Sequence, residues 1–163
     1  MSIGDKIRSY RHSKRLSTRE FGELVGYDYS TISRYENGTR SWQESSDAQL
    51  AAVSWQFALA LADERTHGFI IDVLKYINLD LHPGNVKDMA MKELEEGLQA
   101  LDEYRVSGVY RKRIVNDQKV WQELKDAAIF ALIMCGVIEE RYTATEIESW
   151  NREYIERIKS GTF

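Results

Sequence analysis

Three helix-start signals and two helix stops crowd into the first ~40 residues, a spacing that only short helices joined by tight turns can satisfy. Ser2 and Asp5 stand at the Ser-x-x-acid spacing of a helix start. Ile3, Ile7 and Tyr10 then recur at i, i+4, i+7, one face of a helix that should run to about Lys14. Ser17 and Glu20 form a second capping box, followed by the apolar stripe Phe21, Leu24, Val25. Gly26 should end that helix, because glycine tolerates the left-handed backbone of a tight turn. Asp28 is a third cap, and the helix after it turns Ile32 and Tyr35 inward and leaves Tyr29, Ser30, Ser33 and Arg34 outward. Asn37-Gly38 stops it. Helix, short turn and helix are therefore placed as a helix-turn-helix requires.

The charge pattern agrees with a partner for this end alone. The whole chain carries a net charge of −4. Residues 1–43 hold eight basic and five acidic side chains, a net +3, which leaves −7 on the remainder. A basic head on an acidic body is the asymmetry expected when one end meets phosphate.

Ile7-Arg8, Arg11, Leu16-Ser17, Glu20-Phe21, Leu24, Gly26 and the run from Ser30 to Gly38 (Ser-Thr-Ile-Ser-Arg-Tyr-Glu-Asn-Gly) carry a resemblance. Over Ile3 to Arg40 the chain is similar to the Cro/CI-type (Xre) helix-turn-helix family of transcriptional regulators. Two positions depart from the pattern: Thr18 stands where the family often has Gln, and Gly22 where it usually has Ala. The resemblance implies that the second helix of the motif lies in the major groove of double-stranded DNA with its first residues at base edges. Here these are Tyr29, Ser30, Ser33 and Arg34, with Arg34 able to donate a bidentate pair to guanine. Thr18, Arg19, Thr31, Asn37, Thr39 and Arg40 are expected on the sugar–phosphate backbone, setting register and salt dependence. It further implies a structural pair of Arg11 with Glu36. Plainer roles stay open: Ser30 and Thr31 as first-turn residues, Arg34 as a neutraliser of Glu20 or Glu36, Tyr29 packed on a neighbouring helix, and Arg19–Glu23 as a surface pair.

Beyond the motif the sequence reads as helix throughout, so the expected fold class is all-α. A helix-turn-helix DNA-binding domain over 1–65 precedes a helical oligomerisation or regulatory domain over 66–163. Asp47 should cap a segment reaching about Asp63, and a second should cover Gly68–Asn78. Asn85 or Pro83 should open a helix to Tyr104, and Gly108 to Arg113 reads as a loop. A long apolar helix should start at Asn116 or Asp117, and a last one, capped by Thr143 and Glu146, should stop near Gly161. Cys135, alone in an apolar run, is expected to be a buried small hydrophobe. The broad apolar stripes around Val120–Val137 or Trp150–Ile158 suggest burial against another copy.

No catalytic constellation is legible. His12, His67 and His82 are scattered, with no Cys or carboxylate at metal-ligand spacing, and no Gly-rich phosphate loop occurs. No enzyme activity, metal or cofactor is expected. Asp5, Lys6 and Arg8 interrupt any apolar leader, and no apolar run reaches the ~18–20 residues of a bilayer span, so a cytoplasmic setting and no membrane partner are expected. The reading is a sequence-specific transcriptional regulator, a repressor of a bacterium, phage or plasmid, acting as a homodimer or higher homo-oligomer and open to control by a protein antirepressor. The alternative is an antitoxin-like protein whose helical body captures a protein partner and uses DNA for autoregulation.

Overall fold

The computed structural model describes residues 2–106 and 113–162, and all regular structure among them is helical. In order the helices are α1 (Ile3–Ser13), α2 (Thr18–Val25), α3 (Tyr29–Glu36), α4 (Asp47–Ala51), α5 (Trp55–Arg65), α6 (Pro83–Val106), α7 (Arg113–Glu139) and α8 (Ala144–Ser160). The chain divides into two compact units, Met1–Asn78 and Leu79–Phe163.

In the first unit the local signals act as the sequence implies. The side chains of Ser2 and Ser17 accept from the backbone N–H groups of Asp5 and Glu20, whose carboxylates reach back to the cap backbone. Gly26 adopts φ +74° and closes α2. Ile3, Ile7, Phe21, Val25, Ile32, Tyr35, Trp42, Leu50, Phe57 and Leu61 form one buried core. Tyr27, Tyr35 and Trp42 meet in it edge-on or tilted, with ring centroids 4.9–5.8 Å apart. Gly22 is forced by a close approach: a Cβ there would lie 2.3 Å from the Tyr27 carbonyl oxygen.

Two expectations need correction in this unit. The segment from Asp47 is two helices, because Ala52–Ser54 break the pattern and Ser54 caps α5 through Gln56 N–H. Gly68–Asn78 forms no α-helix; it is irregular with a single 3₁₀ turn at Val73–Lys75. Its apolar residues are not at one helical face, and Asp72 among them is fully buried against the Lys6 ammonium. Lys75 pairs with Asp63. These ion pairs tie the segment to α1 and α5, within the compact unit Met1–Asn78.

In the second unit α6 and α7 pack as an antiparallel pair through small and branched residues, with Val86, Ala90, Ala100, Val120, Ala127, Ile133 and Val137 buried. Helix α7 begins at Arg113, ahead of the expected start at Asn116 or Asp117. The expected loop from Gly108 lies outside the described residues, as does most of the basic run Tyr110–Arg113. Cys135 is exposed, not buried. From Ala127 to Ile138 helix α7 is apolar around its whole circumference, and one neighbouring helix covers only one side of it. Helix α8 has the expected capping box of Thr143 with Glu146 and a left-handed Gly161 after it, yet buries none of its residues. No helix among the described residues is long and apolar enough to cross a membrane.

Candidate nucleic-acid interface

The candidate surface is the outward side of α3 with its flanks. Ile32 and Tyr35 anchor the helix in the core, and that fixes which residues face away. Tyr29 is 67% exposed, Arg34 is exposed, and Ser30 and Ser33 are half-buried on the same side. Asp28 caps the helix: its Oδ1 accepts from Thr31 N–H at 2.9 Å. The Ser30 hydroxyl and both donors of Thr31 hold the Asp28 carboxyl well below the usual range, so it stays charged.

Arg34 is left available by the arrangement of its neighbours. Glu20 is engaged in its own capping box, its Oε2 accepting from Ser17 N–H at 2.7 Å. Glu36 is engaged from the other side. Arg11 Nε donates to Glu36 Oε1 at 2.8 Å and Arg11 Nη2 to Oε2 at 3.0 Å, while Arg8 Nη2 donates to the Glu36 carbonyl at 2.6 Å. Neutralising a local carboxylate is therefore not the role of Arg34, which makes no ion pair among the described residues.

The expected backbone contacts separate into two groups. Thr18 and Arg19 stand at the start of α2; Arg19 is exposed and bonds only loosely to Glu23, Nε to Oε1 at 3.3 Å. Asn37, Thr39 and Arg40 follow α3, all exposed. Thr39 Oγ1 donates to the Arg34 carbonyl at 3.2 Å, and the Arg40 guanidinium lies 5.5 Å from the Tyr35 ring centroid. Thr31 does not belong with them. It is buried, and its Oγ1 donates to Asp28 Oδ2 at 2.9 Å, so it holds the cap rather than facing a phosphate. An acid three residues before a threonine was the signal for that role.

Sequence reasoning missed two features. Arg8 binds the end of α3 at both the Glu36 carbonyl and Asn37 Oδ1, the latter at 2.8 Å. In the second unit Glu93, Glu123 and Asp126 bring carboxylate oxygens within 4.8 Å of one another, a cluster contributed by two helices and so invisible to spacing. Burial, then Glu93, pushes the Asp126 carboxyl up.

Comparison with protein families matches residues 2–63 to a helix-turn-helix domain. The head of this chain is thus a helix-turn-helix domain, and the match leaves the body from residue 64 onward unassigned. Comparison with curated proteins and with solved structures returned no match.

Proposed function

We propose that the chain is a sequence-specific, non-enzymatic transcriptional regulator that represses by occupying an operator as a homodimer. The observation that carries the reading is the outward row Tyr29, Ser30, Ser33 and Arg34 on a helix-turn-helix domain, with Arg34 in no ion pair among the described residues while its neighbouring carboxylates are taken. The net +3 of the head against −7 elsewhere supports DNA as its partner.

Pairing is supported by the second unit. Met91, Leu94, Leu98 and Leu101 repeat at alternating steps of three and four along α6 and are all exposed, Leu98 by 67%. Trp121, Leu124, Leu132 and Ile138 leave a comparable strip on α7, and Trp150, Tyr154, Ile155 and Ile158 on α8. Half-exposed side chains of this size offer roughly 100 Å² each. Together they present on the order of 1,000 Å², against ~800 Å² per partner in a stable interface. A second copy supplies matching strips and would set two heads for half-sites about 34 Å apart.

A gel-shift with DNA from upstream of its own gene, and with the site enriched from a random pool, tests the reading. Salt-sensitive, sequence-selective binding that Arg34→Ala weakens is expected. Binding that ignores sequence, or an Arg34→Ala variant equal to wild type, would refute it. The second reading, a body that captures another protein, rests on the same exposed strips; a stable homodimer in solution that leaves them covered would remove its basis.

A further inference from the structure

A serine hydroxyl has one hydrogen to give and lone pairs with which to accept. On the outward side of α3 the hydrogen of Ser30 is already committed. Ser30 Oγ donates to Asp28 Oδ1 at 2.6 Å, a short, charge-assisted bond. The same carboxylate takes Thr31 N–H and Thr31 Oγ1, so it is an acceptor on every side and has no hydrogen to return. What Ser30 shows to the outside is lone pairs. Ser33, about one turn on, is set the opposite way. Asn37 Nδ2 donates to Ser33 Oγ at 3.3 Å, and the Asn37 amide is oriented by Arg8, whose Nη2 donates to its Oδ1 at 2.8 Å. Ser33 therefore keeps its hydrogen to give.

We propose that α3 reads DNA with a fixed hydrogen-bond polarity. Ser30 acts as an acceptor that selects a base offering an exocyclic amino group in the major groove, adenine N6 or cytosine N4. Ser33 acts as a donor that selects an acceptor there, such as guanine O6 or thymine O4. Asp28 is the positioning residue that sets Ser30. This inference rests on the DNA-reading role of the head and adds to it a chemical rule for two positions of the operator. A free hydroxyl would accept either edge by rotation; the fixed one discriminates.

The geometry also says which substitution should break the rule. In Asp28→Asn the side-chain oxygen can still take Ser30 and Thr31 N–H while the amide faces Thr31 Oγ1, so polarity survives the loss of charge. In Asp28→Gly the acceptor is gone, although glycine remains a tolerated cap. Ser30 is then free to donate.

The test is selection of bound DNA from a random pool by the full-length chain, followed by binding titrations on single-base variants. Wild type, Ser30→Ala, Ser33→Ala, Asp28→Gly and Asp28→Asn are compared after circular dichroism shows each to be folded. The position that loses its preference in Ser30→Ala should carry adenine or cytosine on the contacted strand. It should favour amino over keto bases by about fivefold, the order of one net hydrogen bond. Asp28→Gly should cut that preference to within about twofold while the Ser33 position keeps its own, and Asp28→Asn should retain it. A keto base at the Ser30 position, no position affected by Ser30→Ala, an unchanged preference in Asp28→Gly, or its loss in Asp28→Asn would each overturn the polarity rule. Ser30 is only half-buried, so Ser30→Ala decides the matter even if Asp28→Gly does not fold. A wild-type chain that selects no sequence overturns the proposed function itself, a failure distinct from these.

Discussion

Arg11 meets Glu36 edge-on, with Nε on Oε1 at 2.8 Å and Nη2 on Oε2 at 3.0 Å, and its remaining nitrogen Nη1 donates to the Leu16 carbonyl at 3.0 Å. One side chain thereby joins α1, the α1–α2 turn and the end of α3. The Glu36 side chain is only 7% exposed, so its charge has little water to fall back on. Replacing Arg11 by Met should cost about 3 kcal/mol of stability, because the buried carboxylate loses its two-point partner and keeps only Arg8 Nε, 3.8 Å from Oε2. Arg11→Lys should recover part of this, since an ammonium cannot make the two-point contact. Urea melts of the full chain measure it; a loss under ~1 kcal/mol would rank the pair with exposed salt bridges.

Gly22→Ala sets two effects against each other. Helix propensity favours Ala by ~1 kcal/mol. The new Cβ would stand 2.3 Å from the Tyr27 carbonyl oxygen, and backbone cannot swing aside as a side chain can. Overpacking should win, with a net loss of about 2 kcal/mol. Gly26→Ala meets no atom within 4 Å but must hold φ +74°, and should cost about 1 kcal/mol. Thermal melts that ranked the two in reverse would contradict the close approach.

Acid should loosen the head through its caps. Hydrogen bonds to the cap residues hold the carboxyls of Asp5, Glu20 and Asp28 below their ordinary values of 3.8, 4.5 and 3.8. A carboxyl depressed in the folded state contributes stability that is complete above its unfolded value and lost as pH falls through the folded one. The melting temperature should therefore be flat from pH 7 to about 5 on account of these groups and decline below about 4.5. Asp28→Asn should start lower at neutral pH and converge on wild type in acid. Parallel curves would deny the cap its charge-dependent role.

On DNA, Arg34→Ala should cost ~1–3 kcal/mol and relax selectivity at one base pair. Arg19→Ala should weaken binding alike on all sequences and reduce the slope of log affinity against log salt by about 1. Titrations at several salt concentrations distinguish the two; interchangeable effects would mean that Arg34 touches phosphate only.

Leu98→Asp should prevent pairing by placing a charge on the most exposed residue of the α6 strip. Light scattering should report a monomer. Affinity for a full operator should fall more than about tenfold while that for an isolated half-site stays unchanged, since one linked head raises the local concentration of the other. A dimer that persists would place the interface elsewhere.

The head was legible because its information is local. Ser2 with Asp5, Ser17 with Glu20, and Asp28 with Thr31 are partners three residues apart, and such pairs close whatever the rest of the chain does. Spacing could not show what Gly68–Asn78 does, since its apolar density resembles a helix while the decisive contact is Asp72 with Lys6, across most of the unit. Cys135 misled for a related reason. Periodicity separates apolar from polar faces, and on the stretch from Ala127 to Ile138, apolar all round, it cannot say which side a neighbour covers. The outward row on α3 was readable from Ile32 and Tyr35, but the direction of each hydroxyl was not, because it depends on how Asp28 and Asn37 are engaged.

Helix α8 is well signposted at both ends and buries nothing. A lone helix of its length is marginal in water, since nucleation is costly and packing normally supplies the stability. In the proposed homodimer its order becomes a function of how many copies of the chain are present. At low abundance its amides should exchange with solvent quickly, and at high abundance they should be protected, so that α8 would register the concentration of the chain that carries it.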